Sequence, residues 1–287
     1  MPLTLSHIAA VLPMQSGTRT GLDGRRGPLV ASAMAFATMA PDAIFFFPLE
    51  WLPFDMSRTG THSVVPGVLA SGVVVTAACV AVWHLLLLRP LLALLPDAVR
   101  DRVADPLLPR LPGRIRAARR EGRPWAGEVL GTAGWFVVSA WIGGLTHVFW
   151  DAWGHYNDPG VADVAPWLRD EGLFGRPWFV LVQHTGTAVG LIGLAWWGMR
   201  QYRRLPILPP VPGTHLAVPW RIAVVGLLAL AGLVGAVDET RPYAGGSFEE
   251  IGYYFATGFG RALGFALLAY GASRMLYSSI AARSRAT

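Results

Sequence analysis

Six mostly apolar stretches, 29–49, 64–88, 126–150, 177–199, 216–237 and 251–277, alternate along the chain with polar segments rich in Pro, Gly and Arg. Each is close to the roughly 20 residues a helix needs to cross a bilayer. Residues 73–81 and 223–236 carry no charge and no polar face, the pattern of a lipid-facing or fully buried helix. The pattern predicts an all-α, polytopic helical membrane protein with about six transmembrane helices. A soluble bundle with six such runs in 287 residues would have too little polar surface to cover it. Residues 3–15 are weakly apolar and interrupted by Ser6 and His7, which predicts a short N-terminal helix lying in or dipping into the membrane. Arg19, Arg25 and Arg26 follow that stretch, whereas a signal peptide carries its basic residues first. Spans five and six contain fewer polar residues than the first four. The expected division is therefore 1–205, with four spans and a basic loop at 89–124, and 206–287, a two-span hairpin and tail.

Composition sharpens this picture. Hydrophobic residues make up 53% of the chain and charged ones only 15%, against about 25% in soluble domains. That excludes a disordered chain, a coiled coil or a collagen-like fibre. The net charge is +6, and all 24 basic residues are arginine. Nine of them, Arg89, Arg100, Arg102, Arg110, Arg114, Arg116, Arg119, Arg120 and Arg123, lie between spans two and three. Others precede span one, follow span four (Arg200, Arg203, Arg204) and follow span six (Arg283, Arg285). The alternate loops hold few arginines and several acids, among them Asp158, Asp163, Asp170, Glu171, Asp238, Glu239, Glu249 and Glu250. By the positive-inside rule, both termini are expected in the cytoplasm of a multi-pass bacterial cytoplasmic-membrane protein. The lipid bilayer is then the partner of the basic surface, and no nucleic acid is expected. The single cysteine, Cys79, excludes an internal disulfide and a thiolate cluster, so a metal site would need His and carboxylate ligands.

Ionisable residues in or beside spans are costly and mark function. Residues 145–155 read L-T-H-V-F-W-D-A-W-G-H, an H-x3-D-x3-H pattern at the outer end of span three. Steps of four place His147, Asp151 and His155 on one helical stripe, with His147 to Asp151 about 6 Å and His147 to His155 about 12 Å along the axis. One ion cannot take both histidines of a straight helix. A carboxylate between them can be shared by two ions about 3.5–4 Å apart; the bland alternative is a solvated polar helix end. Asp42, after Pro41 and inside span one, must be neutral, paired or metal-bound. His62 opens span two and His184 lies one to two turns into span four, both from the outer side. His7 joins them only if the N-terminal segment penetrates deeply; otherwise it is a core or interfacial histidine. His84 reads as a packing residue and His215 as a loop residue. Arg221 and Arg261, inside spans five and six, call for partners such as Asp238 or Glu249.

The strings L-T-L-S-H (3–7), M-A-P-D (39–42), T-H-S (61–63), L-R-P-L-L-A-L-L-P (88–96), residues 145–155 and L-V-Q-H-T-G-T-A-V-G-L (181–191) resemble the bacterial membrane family DUF4184 over roughly residues 1–200. That family looks related to inner-membrane metal-dependent hydrolases. Its order of polar residues is similar to that of zinc-dependent phospholipase C and S1/P1-type nucleases, all-α enzymes that cleave phosphate esters. The resemblance implies His7, Asp42, His62, His147 and Asp151 as ligands of one or two divalent ions, zinc by analogy. Asp151 would bridge, and His155 and His184 would supply a further site. Here six residues precede His7, and His184 has Ala188 rather than an acid four positions on; both depart from the soluble enzymes, so one or two ions replace three.

The expected function is membrane-bound metal-dependent hydrolysis of a phosphate ester, such as a lipid head group, near the outer face. Asp42 and Asp151 are its catalytic candidates. The alternatives are an ion- or proton-coupled transporter or channel, a haem or quinone protein using paired histidines, and a non-catalytic membrane scaffold.

Overall fold

The computed structural model describes residues 3–17, 27–154 and 165–283, which are helical with no β-strand. Eight helices are numbered here: α1 (Ala31–Ala37), α2 (Val64–Leu94), α3 (Asp97–Leu107), α4 (Leu111–Arg120), α5 (Trp125–Gly154), α6 (Trp178–Arg204), α7 (Val218–Thr240) and α8 (Phe248–Arg283). Four are long and apolar enough to cross a membrane: α2, α5, α6, and α7 with its extension to Tyr243.

The apolar run 29–49 does not make one spanning helix. Helix α1 has seven residues, a rise of about 10 Å, or a third of the hydrocarbon thickness. The Thr38 hydroxyl turns back to donate to the Ala35 carbonyl. Pro41 has no N–H to extend the ladder, so the chain restarts as a 3-10 turn, Pro41–Phe45. The run 251–277 falls within the 36-residue α8, which also carries Glu249, Glu250, Arg261 and Arg274. The N-terminal segment is helical as expected, but as a 3-10 helix, Thr4–Gly17.

The chain forms two units. The first contains Met1–Ile44, Leu49–Val80 and Pro109–Arg204. Its organiser is α5, whose buried residues Ser139, Ala140, Gly143, Gly144, His147, Asp151 and Gly154 form one stripe at helical spacing. Two glycines in this stripe permit close approach. A Cβ at Gly143 would collide with the Met34 carbonyl of α1, and one at Gly144 would lie 2.7 Å from Val68 of α2. Helix α6 completes the unit. Its Gly190 seats Ser6, its Thr187 hydroxyl accepts from the Leu3 amide (3.2 Å), and Trp197 donates to Gln15 (3.3 Å). The 3-10 helix is thereby laid along α6.

The second unit contains Phe45–Pro48, Ala81–Leu108 and Leu205–Thr287. The α7–α8 hairpin closes through small residues: Gly232 lies under the Phe259 ring, and Gly235 faces the Gly258 carbonyl. Arg221 and Arg261 do find acids, but neither takes Asp238 or Glu249. Arg221 pairs with Asp97 (2.8 Å) and Arg261 with Glu239 (3.0 Å). Glu239 lies across the hairpin from Arg261, whereas the exposed Asp238 approaches Arg241 at 4.0 Å. The 89–124 segment folds as short helices, α3 and α4, separated at Leu108–Arg110, where Pro109 interrupts the ladder.

Candidate metal centre

Four segments of the first unit deliver the ionisable groups to one point. His147 and Asp151, four residues apart on α5, project from the stripe that Gly143 and Gly144 press against α1 and α2. Asp42 comes from the 3-10 turn after α1. His62 follows the single helical turn Arg58–Thr61, whose start is capped by Ser57 accepting from the Gly60 amide. Ser63 then caps α2 by accepting from the Gly67 amide, so His62 is held between two caps. His7 arrives on the N-terminal 3-10 helix. Four of the five side chains are at most 2% exposed, and His62 is 8% exposed.

The ring-nitrogen roles follow from backbone acceptors. His147 Nδ1 lies 2.7 Å from the Thr38 carbonyl, and His62 Nδ1 lies 3.0 Å from the Arg58 carbonyl. A carbonyl oxygen only accepts, so each Nδ1 carries the hydrogen and donates it. Each Nε2 is thereby left as a lone-pair donor facing the other, 3.4 Å apart. Two carboxylate oxygens complete the group. Asp42 Oδ1 is 3.6 Å from His62 Nε2 and 3.7 Å from His147 Nε2; Asp151 Oδ2 is 3.6 Å and 3.4 Å from the same atoms. All four ligand atoms lie within 4.8 Å of one another. A regular tetrahedron of donors about 2.05 Å from a central zinc has edges of about 3.3 Å. Five of the six edges, at 3.4–3.7 Å, exceed this by no more than a few tenths, and the carboxylate–carboxylate edge is within 4.8 Å, so small side-chain shifts would close the group on an ion.

Charge points the same way. Two buried carboxylates sit within 4.8 Å of each other and share His62 and His147 as neighbours, and a cation between buried like charges stabilises them. In an ion-free protein the proton on His62 serves. Burial opposes the charged imidazole, but hydrogen bonds to Asp151 and Asp42 override it and push the pKa up to about 9. A metal ion held by these four residues would supply the same charge and use the Nε2 lone pairs. The remaining oxygens are also held: the Thr4 hydroxyl donates to Asp42 Oδ2 (2.7 Å), and Asp151 Oδ1 lies 3.3 Å from His7 Nε2. The His7 ring stacks on His147 with centroids 4.1 Å apart.

Five of the seven sequence candidates, His7, Asp42, His62, His147 and Asp151, therefore meet, and the four-atom donor group comes from all but His7. His184 does not meet them: it is exposed on α6, and its neighbour Gln183 faces inward against Gly154. His155 lies outside the described residues. Thr4, and the Thr38 and Arg58 carbonyls, were not singled out by sequence. Thr4 lies within the L-T-L-S-H string, but a carbonyl acceptor leaves no side-chain signature.

A family model described as "Domain of unknown function (DUF4184)" matches residues 1–272, and the chain belongs to that family. The match continues well past residue 200, so α7 and most of α8 are part of the family's common chain rather than outside it. No curated protein and no solved structure matches.

Proposed function

We propose that this member of the DUF4184 family is a membrane-bound metal-dependent hydrolase, with a divalent ion, zinc by its donor set, held by Asp42, His62, His147 and Asp151. The observation that carries the reading is the pair of Nε2 lone pairs turned toward each other by two backbone carbonyls, with a carboxylate oxygen on either side. Two neutral imidazoles facing each other in this way cannot hydrogen-bond to each other; either a proton on His62 or a metal ion has to sit between them. The backbone acceptors behind both histidines are the outer-shell partners that fix metal-ligating imidazoles.

Hydrolysis is favoured over a purely structural ion by the fifth group. Four donors suffice for a structural site, yet His7 is fully buried beside Asp151. An ion held by Asp42, His62, His147 and Asp151 would supply Lewis-acid chemistry, polarising a phosphoryl oxygen and acidifying water. Asp151 serves two neighbours through its two oxygens, Oδ2 in the donor group and Oδ1 toward His7. His7 Nε2 is the atom placed to accept and return a proton, and Thr4 keeps Asp42 Oδ2 turned from the donors. A phosphate ester, such as a lipid head group, is the substrate class that suits a His/Asp site among membrane helices. The arginine distribution supports cytoplasmic termini and a site toward the outer face.

The test is metal content of the full chain purified in detergent. Near-stoichiometric zinc in the wild type, lost in His147→Ala and Asp151→Asn, is expected; equal metal in all three proteins overturns the site. Phosphate mono- and diesters assayed with and without chelator then test hydrolysis, and turnover indifferent to chelator would sink it. For orientation, cysteines placed at Asp170 and Arg116 in a Cys79→Ser background should label from opposite sides of sealed vesicles.

A further inference from the structure

Phe45–Pro48, which begin three positions after Asp42, belong to the second unit. Phe45 is the last residue of the 3-10 turn that carries Asp42. Its carbonyl accepts from an Arg261 guanidinium nitrogen of α8 (3.2 Å), and its ring meets Tyr253 edge-on at 6.4 Å. The next two rings are seated on glycines one turn apart on the same helix. A Cβ at Gly260 would lie 2.7 Å from the Phe46 ring, and one at Gly264 would lie 2.9 Å from Phe47. Phe47 also meets Phe265 edge-on at 5.7 Å. Arg261 is itself held, because its other terminal nitrogen donates to Glu239 of α7 (3.0 Å). One guanidinium thus joins α7, α8 and the end of the Asp42 turn. A planar fork of donors can do this with both partners at once, whereas a lysine ammonium lacks that fixed geometry.

This grip meets a specific need. Asp42 sits on five residues of 3-10 structure between a seven-residue helix and a proline at 48. Short 3-10 pieces have poor hydrogen-bond geometry and little stability of their own. A carboxylate ligand is only as well placed as the backbone carrying it.

We propose that Arg261, supported by Glu239, is a positioning residue for Asp42: the α7–α8 hairpin holds the far end of the ligand-bearing turn. The part of this that concerns metal rests on the site assigned above, so its test has one readout that needs no metal. Hydrogen exchange of residues 43–47 is measured in the full chain in detergent for wild type, Arg261→Ala, Arg261→Lys and Gly260→Leu. Binding of cobalt(II), whose visible spectrum reports tetrahedral coordination, is titrated in the same proteins. Arg261→Ala and Gly260→Leu should speed exchange of 43–47 about tenfold and weaken cobalt affinity about tenfold, at the lower end of outer-shell effects. Arg261→Lys should fall between them and the wild type. Unchanged exchange at 43–47 in both Arg261→Ala and Gly260→Leu overturns the proposal, as does exchange that rises along all of α8 without favouring the turn. A loosened turn with unchanged cobalt affinity overturns the link to Asp42. A loosened turn in a protein whose wild type binds no cobalt keeps the clamp and overturns the metal centre instead.

Discussion

Among the described residues, the charged group around Arg100 and the one around His147 are built on opposite principles. Around Arg100 in the second unit, a fixed cation with 3% exposure is enclosed by Asp101 (2.8 Å), Asp97 (3.0 Å) and the Thr214 carbonyl (3.4 Å). Nε and Nη1 of the guanidinium both have acceptors, and the charge is balanced by the chain itself. Around His147 in the first unit, two carboxylates and two imidazole nitrogens converge, and the ion partners described for those carboxylates are histidines, whose charge comes and goes with a proton. The first cluster carries a permanent charge; the second depends on a removable one, a proton on His62 or a metal ion in its place. Burying charge without a partner costs several kcal/mol per ion, so an arrangement of the second kind persists where a ligand supplies the missing charge.

The contrast can be broken most severely at His147. His147→Ala should lower cobalt or zinc affinity by at least about a hundredfold, beyond the effect of outer-shell changes, as read by competition with a calibrated chelator. Arg100→Met should leave metal affinity unchanged while destabilising the fold. The cost is about 2 kcal/mol, below the usual figure for a broken buried pair because Asp97 is largely exposed. Metal loss in Arg100→Met, or none in His147→Ala, would erase the distinction.

Chelation should separate the clusters next. Stripping metal from the wild type should lower its melting temperature, because a ligand bound only by the folded state stabilises it by mass action. The same treatment should not move His147→Ala. A smaller effect is expected with pH. The folded ion-free protein holds a proton on His62 up to about pH 9, above the ordinary value of 6.5. That stabilisation is fully present below pH 6.5 and is lost as pH rises through about 9. Metal must displace the proton, so metal affinity should rise over the same window and the loaded protein should lack the alkaline loss. Affinity flat between pH 6.5 and 9 would show that His62 is not a ligand. The smallest change is expected for Thr4→Val, which removes the hydroxyl donor to Asp42 Oδ2. About tenfold weaker metal binding with little change in melting temperature is expected.

Several elements were legible because they depend on local spacing. Four of the apolar runs correspond to the helices long and apolar enough to cross a membrane. The i, i+4 spacing of His147 and Asp151 placed them on one stripe before any partner was known. Asp42 stood out because a carboxylate within an apolar run needs a reason. Other features were illegible for equally physical causes. Hydropathy sums over a window and does not register that Thr38 and Pro41 end a helix, so 29–49 looked like a span. Nor does a position on the outer half of a helix fix which way its side chain turns. Successive residues rotate by about 100°, and that step puts Gln183 inward and His184 outward. Arg261 could be recognised as needing an anion, but Glu239 and the Phe45 carbonyl are neighbours only in the folded chain.

The sequence by itself determined an all-helical, arginine-labelled, apolar chain with its few buried acids beside histidines, because periodicity, composition and desolvation cost are local properties. Only the tertiary structure decided that His7 joins the group, that backbone carbonyls turn both Nε2 atoms inward, and that Phe45–Phe47 pack on the last two helices. Each of these requires segments far apart in the chain to meet at ångström distances, and such meetings are set by packing, here by glycines at 143, 144, 190, 260 and 264, which permit close approach without naming the partner.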